Sequence, residues 1–432
     1  MKRDTIVAIS TPHGVGGIAV VRLSGPEALT LALRHLAVDS LAPRRATYCR
    51  LDNLDDVVAL FLPIGYSGEP TVEISCHGSL YVQQAVLQLF VDDGARLAEP
   101  GEFTRRAFLN GRLDLSQAEA VADLIDSVSP AQHRLAVSQL RGGYAQKLKE
   151  LRRQLLDLTS LLELELDFSQ EDVEFADRSQ LRHLLSTFNL QLSSLIDSFR
   201  LGNALKQGVP VAIIGKPNVG KSTLLNTLLQ DDRAIVSDIP GTTRDTVEGL
   251  LTIGSVTFRL VDTAGLRETT DAVERLGIER SRKACDDAFI VLHLFDSVED
   301  IPRDLPSDDK HHIFILNKTD LHPFSIPNSQ ISILHISALT GTGIDNLKQA
   351  LLDAVGGRTV DETLLSNVRH RDALQHVLQA VTLADKSLAD GIPADLVAVD
   401  LRDALYHLGT ITGEVTSDEL LGNIFGRFCI GK

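Results

Sequence analysis

The sequence predicts a multidomain protein combining α/β and all-α architecture: an N-terminal α+β domain, a helical domain, and a phosphate-binding α/β domain inserted among the helices. Three observations predict it. A chain of 432 residues exceeds what one ordinary core supports. The loop Gly215-Lys216-Pro217-Asn218-Val219-Gly220-Lys221-Ser222 follows the apolar stretch Val209–Ile214 and leads into the helical-looking Thr223–Leu229, which is the strand, loop and helix of a P-loop. Leucines at helical spacing stand before that α/β segment, and helical spacing resumes after it.

Composition sets the class. Apolar residues make up 44% and charged residues 23%, as in a globular protein. No apolar run is long enough to span a bilayer, so no membrane association is expected. Met1–Asp4 leads into strand-like Thr5–Ser10, too short an apolar stretch for a signal or transit peptide. Cys49, Cys76, Cys285 and Cys429 have no paired spacing, which points to a reducing cytoplasm and away from a zinc site. The net charge of −16 repels nucleic acid on average, so any RNA contact needs a local basic patch or a partner. Arg105, Arg106, Arg112 and the stretch Arg141–Arg153 offer patches, although for each of them alone a solvated helix face is the simpler explanation.

The N-terminal part, about Met1–Asp114, mixes short strands with glycine turns. It carries Thr11-Pro12-His13-Gly14-Val15-Gly16-Gly17, then Val72-Glu73-Ile74-Ser75-Cys76-His77-Gly78, then Pro100-Gly101-Glu102-Phe103-Thr104-Arg105-Arg106 running on to Arg112-Leu113-Asp114. By themselves these are turn glycines with interspersed charges. Next, Ala131–Phe168 reads as long helices, with Leu148, Leu151, Leu155, Leu158, Leu161 and Leu162 as core positions. Ser179–Leu205 continues the pattern.

The inserted domain, roughly Lys206–Val355, carries a set of strings in the order a Ras-like GTPase needs. Glycines let backbone N–H groups curl around phosphate oxygens at a helix N-terminus. Lys221 bridges the β- and γ-phosphates and Ser222 ligates Mg²⁺, while Asn218, Val219, Gly220 and Thr223 complete the loop contacts. Ser237-Asp238-Ile239-Pro240-Gly241-Thr242-Thr243 follows, and Thr243 reaches Mg²⁺ only while a γ-phosphate is present. The strand Thr257–Val261 ends in Asp262-Thr263-Ala264-Gly265, with Asp262 in the Walker-B place.

The base is read by Asn317, Lys318 and Asp320. Guanine offers N1–H and an amine to the Asp320 carboxylate, a donor pair that adenine lacks. Ser337-Ala338-Leu339 closes over it. Leu266 stands where signalling GTPases carry a water-orienting glutamine, so hydrolysis requires another polar group and another positive charge. Arg267, Glu268, Glu274 and Glu279 lie just downstream. Helical spacing resumes at Ala373–Leu388, Asp395–Leu408 and Asp418–Phe425.

The flanking strings, together with Ser366-Asn367-Val368-Arg369-His370, Thr412-Gly413-Glu414 and the ending Phe428-Cys429-Ile430-Gly431-Lys432, resemble the tRNA-modification GTPases of the MnmE (TrmE) family from Thr5 to the last residue. The resemblance implies domains at residues 1–115 (dimerisation and folate binding), 116–205 with 356–432 (helical), and 206–355 (GTPase). It implies that Arg22, Glu73, Arg112 and Lys432 bind a one-carbon tetrahydrofolate such as 5-formyltetrahydrofolate, a carboxylate meeting the pterin and cations meeting the glutamate tail. For Glu73 and Arg112 a local salt bridge is the competing explanation.

It further implies activation by K⁺ between two facing GTPase domains, with Asn218, Ser237, Ile239 and Thr242 around the ion and the catalytic roles falling to Glu274 and, secondarily, Arg267. The implied activity is GTP hydrolysis that drives addition of an aminomethyl or carboxymethylaminomethyl group to C5 of the wobble uridine of certain tRNAs. The implied partners are a second copy of the chain, an FAD-dependent protein of the MnmG (GidA) type, and tRNA. Two rivals stay open: a ribosome-assembly GTPase, and a folate-dependent aminomethyltransferase-like module that GTP only regulates. Leu41–Asp56 and Ile301–Lys310 carry no string that bears on the choice.

Overall fold

The structure, a computed structural model, describes residues 4–167, 178–231, 248–262, 284–302, 306, 308–321, 332–356 and 364–431. The chain divides into two compact units. One comprises 1–122, 140–156 and 402–432; the other comprises 123–139 and 157–401.

The first unit is built on the sheet β3-β4-β5-β2-β1-β6, with β1 Ile6–Ile9, β2 Ile18–Ser24, β3 Ala46–Leu51, β4 Asp55–Leu62, β5 Thr71–His77 and β6 Arg96–Leu97. All of its pairings are antiparallel except β1 with β6. Alternate residues of these strands (Val7, Val21, Ile74, Ala59) are fully buried, and they form one core with α1 Ala28–His35 and α2 Leu80–Asp92. The stretch without a legible motif, Leu41–Asp56, supplies β3 and the turn at Asp52, whose φ is 44°. Beyond the sheet come α3 Glu102–Leu109 and α4 Leu115–Asp126.

At the foot of α3, the buried Glu102 accepts from Arg96 at 2.6 and 3.0 Å, from Arg106 at 2.9 Å and from the Glu99 amide at 2.8 Å. Asp4 accepts from the same two arginines at 2.6 and 2.7 Å. The Arg96 hydrogen bond holds the Asp4 carboxyl down at about 2; burial pushes Glu102 up, but its arginines outweigh that and lower it. A depressed folded-state pKa stabilises above the unfolded value of about 4 and is lost below it. The unfolding midpoint of this unit is therefore expected to fall between about pH 4 and pH 2. Urea unfolding monitored across that range checks it, and a flat midpoint would remove this cluster from the stability of the unit.

The remaining helices in chain order are α5 Pro130–Leu140, α6 Gly143–Asp167, α7 Arg178–Asp197, α8 Phe199–Gln207, α9 Lys221–Asp231, α10 Ile344–Ala354, α11 Val368–Ala389, α12 Ala394–Thr412 and α13 Asp418–Phe425. The leucine periodicity is realised in α6: Leu148, Leu151, Leu155, Leu158 and Leu162 are buried, and Leu161 is half-buried. In the second unit α7 packs along α11, burying Leu185, Phe188 and Leu192 with Val377, Val381 and Ala384. None of the described helices is long and apolar enough to cross a membrane.

The second sheet has the order β12-β11-β10-β7-β9-β8, with β7 Val209–Ile214, β8 Glu248–Ile253, β9 Val256–Asp262, β10 Ile290–Phe295, β11 His311–Leu316 and β12 Ile333–His335. Only the β8–β9 pair is antiparallel. From β7 the chain runs through α9 to one side of the sheet, and it later returns to place β10 on the other side of β7. A crevice at such a switch point, outside the carboxyl ends of parallel strands, is where α/β sheets bind ligands. The core beneath it joins β7, β9 and β10 to α9 and α10 (Leu224, Leu228, Leu347, Leu351), and also to α8 and α5 (Leu205, Leu135).

Candidate functional site

The sequence strings after β7, β11 and β12 meet at the carboxyl ends of these strands. In the loop between β7 and α9, Asn218 has a φ of 65° and Gly220 of 102°, left-handed backbone that turns successive N–H groups inward. The glycines are also sterically required. A Cβ on Gly215 would stand 2.3 Å from the Leu294 carbonyl oxygen, and one on Gly220 would stand 2.4 Å from the Asn317 side-chain nitrogen. This cradle fits phosphate oxygens and leaves no room for side chains. Lys221 Nζ donates to the carbonyls of Gly215 and Lys216 at 2.8 Å each, which folds the lysine back over its own loop. Ser222 and Thr223 are exposed at the start of α9, while Val219 is buried. The Asn218 side chain makes no hydrogen bond among the described residues.

Asn317 has a structural task that its motif does not announce. Only 2% exposed, it donates from Nδ2 to the Val219 carbonyl at 2.8 Å and accepts at Oδ1 from the Ala338 amide at 2.9 Å. One side chain thus ties the phosphate loop to the Ser337-Ala338-Leu339 string. Thr227 Oγ1 on α9 adds a second tie, donating to the Ala338 carbonyl at 2.7 Å. Lys318, at a φ of 63°, pairs with Asp296 just past β10 at 2.7 Å. Asp320 and Leu339 are exposed at this end of the sheet, and Ser337 is buried. Neither Thr227 nor Asp296 was expected from the motifs. Asp296 had a usable signal, being an acidic residue directly after an apolar strand, as Asp262 is. The loop after β10 also bears on the site, because Asp300 pairs with Lys216.

Asp262 closes β9, in register with Ile213 near the end of β7. Ser237, Asp238, Ile239, Pro240, Gly241, Thr242 and Thr243 lie outside the described residues, as do Thr263, Ala264, Gly265, Arg267 and Glu274.

In the first unit the structure brings two of the four folate candidates together. Arg22 and Glu73 are register partners on β2 and β5, and they pair at 2.8 Å on the sheet face opposite α1 and α2. The Arg22 guanidinium stands 5.9 Å from the centre of the Tyr66 ring and 5.5 Å from that of Phe103, so the pair is flanked by aromatic rings. No sequence signal marked those two rings. Arg112 is exposed and makes no ion pair with Glu73. Lys432 lies outside the described residues, but the chain leading to it is fixed: Ser10 Oγ donates to the Gly431 carbonyl at 3.2 Å, and a Cβ on Gly431 would clash with the Ile9 oxygen at 2.2 Å.

Comparison with known proteins covers the whole chain. The family model for the GTP-binding protein TrmE N-terminus matches residues 5–112, and that for the MnmE helical domain matches residues 115–429. The tRNA modification GTPase MnmE of Parabacteroides distasonis is 48% identical over 461 residues, covering 99% of this chain and 100% of the relative. Those of Flavobacterium johnsoniae and Bacteroides fragilis are 46% and 47% identical, each covering 100% of both chains. Among solved structures, the G domain of the T. maritima FeoB iron transporter is 26% identical over 34% of this chain and 98% of its own, but its TM-score of 0.24 is too low to bear on the fold. With family models spanning both flanks and relatives matched end to end, around a nucleotide cradle assembled from its own strings, this chain belongs to the MnmE family of tRNA modification GTPases.

Proposed function

We propose that this chain is a potassium-dependent GTPase. With a flavoprotein partner of the MnmG type, it adds an aminomethyl or carboxymethylaminomethyl group to C5 of the wobble uridine of certain tRNAs, working in the cytoplasm as a homodimer. The observation that carries the GTPase reading is the unit formed by Asn317, which joins the phosphate loop to the base-side loop at the carboxyl ends of the sheet. On this reading the domains run 1–115, 116–205 with 356–432, and 206–355.

The chain's own residues divide the work. The loop amides and Lys221 hold phosphate oxygens, Asp320 selects guanine, and Thr243 and Gly265 respond to the γ-phosphate. Ser222 and Thr243 would hold Mg²⁺, which neutralises phosphate charge when bound. Asn218 would hold K⁺ with oxygens of Ser237, Ile239 and Thr242, and the ion would supply the positive charge that an arginine finger supplies elsewhere. Glu274 orients the attacking water, steadied by Arg267, in place of the glutamine that Leu266 excludes.

In the first unit Glu73 and Arg22 would bind the folate head, with Arg112 and Lys432 on its carboxylates. The half-buried Tyr66 ring beside Arg22 suits a flat pterin and supports this reading, while Phe103 is buried in the core. Hydrolysis does not join bonds in the uridine; it changes conformation, so coupling to tRNA is mechanical.

The test is GTP hydrolysis in K⁺ against Na⁺ at equal ionic strength. A gain of at least tenfold in K⁺, erased in Asn218→Ala, is expected. Equal rates in the two salts would point instead to an arginine- or partner-activated switch.

A further inference from the structure

Helix α5 lies outside the segment that carries the nucleotide strings, yet its N-terminus is completed by that segment. The N–H groups in the first turn of a helix that starts at 130 have no partner within the helix. Pro130 has no N–H, which suits the first helical position. The Gln132 amide donates to Oγ of the N-cap Ser129 at 3.3 Å. The Ala131 amide donates to the Ser255 carbonyl at 2.9 Å. Ser255 belongs to the two-residue turn, with Gly254 at a φ of 59°, that joins β8 to β9. Packing reinforces the bond: Ala131 and Leu135, 1% and 3% exposed, share one core with Ile253 and Val256 on either side of that turn.

The hairpin is singular in its connections. β8 starts five residues after Thr243, and β9 ends at Asp262, next to the Thr263-Ala264-Gly265 string. The strands are paired continuously from Glu248 with Val261 to Ile253 with Val256, so the hairpin is a stiff rod between the two γ-phosphate-responsive strings and α5. If it shifts, either α5 follows or a buried N–H loses its partner, and the unpaired state is the costly one. The same turn of α5 is clasped again: Gln132 Nε2 donates to the Lys206 carbonyl at 3.0 Å, and Lys206 pairs with Asp123 at 2.7 Å.

We propose that the β8–β9 hairpin carries the state of the nucleotide to α5 through the Ala131–Ser255 contact, making α5 the output element of the GTPase. This rests on the GTPase reading above. Hydrogen exchange of the full chain, loaded with GDP or with a non-hydrolysable GTP analogue, tests it. Amides of residues 131–140 are expected to exchange at rates at least threefold different between the two states.

Ala131→Pro removes the one donor at a helix position that tolerates proline, and Leu135→Ala loosens the packing while keeping the bond, in case the first variant does not fold. In the folded variant, GTP turnover within about twofold of the parent with tRNA modification reduced at least fivefold is the expected split. Identical exchange at 131–140 in both nucleotide states, or full tRNA modification in both variants, would overturn the assignment. GTP turnover of the unaltered chain, measured in the same samples, reports separately on the underlying reading.

Discussion

Asn317→Ala is expected to weaken guanine-nucleotide binding about 100-fold and to destabilise the nucleotide-binding unit by about 2–4 kcal/mol, since two buried backbone groups lose their partner at once. The Val219 carbonyl and the Ala338 amide are both hydrogen-bonded to this side chain, and both bonds are buried. A buried donor or acceptor left unpaired costs about 1–3 kcal/mol. The loss in affinity has the same origin, because the phosphate loop and the base-side loop would no longer be held at a fixed separation before the nucleotide arrives. Equilibrium binding of a fluorescent GDP and urea unfolding measure the two effects. The strut assignment is wrong if affinity drops while the unfolding midpoint stays put, because that pattern belongs to a residue that only touches the ligand.

Glu274→Ala is expected to leave GTP affinity within about twofold and to cut turnover about 10³-fold, in the range by which a positioned proton-accepting group accelerates a reaction. Leu266 has no polar atom to offer the attacking water, and phosphoryl transfer depends on positioning and charge. Single-turnover hydrolysis in K⁺ reads the chemical step without product release. Full activity in Glu274→Ala, with the loss appearing in Arg267→Ala, would transfer the water-orienting role to the arginine.

The two largest parts of this protein were legible to different degrees. The nucleotide site could be read from the chain because phosphate binding uses consecutive backbone groups. A strand end, a glycine turn and a helix start are local, and Gly215–Ser222 writes all three in order. The helices were legible because burying one face of a helix imposes a period, and Leu148 to Leu162 follow it. The folate candidates were placed only by resemblance. Arg22 and Glu73 are 51 residues apart and meet because β2 and β5 pair in one register. A slip of one residue between the strands would put them on opposite faces.

What the sequence alone determined, then, is what depends on near neighbours: the phosphate cradle, the place of Asp320 just after a strand, the helical stripes and the strand–helix alternation. What the tertiary structure decided depends on packing between distant segments. Asn317 became a strut because Gly220 leaves it room to approach. Tyr66 and Phe103 came to flank Arg22, and α5 took its last N-terminal acceptor from the β8–β9 turn. Each of these follows from the need to pair a buried polar group or cover an apolar face with whatever the fold brings near, and a linear pattern holds no record of which segment that will be.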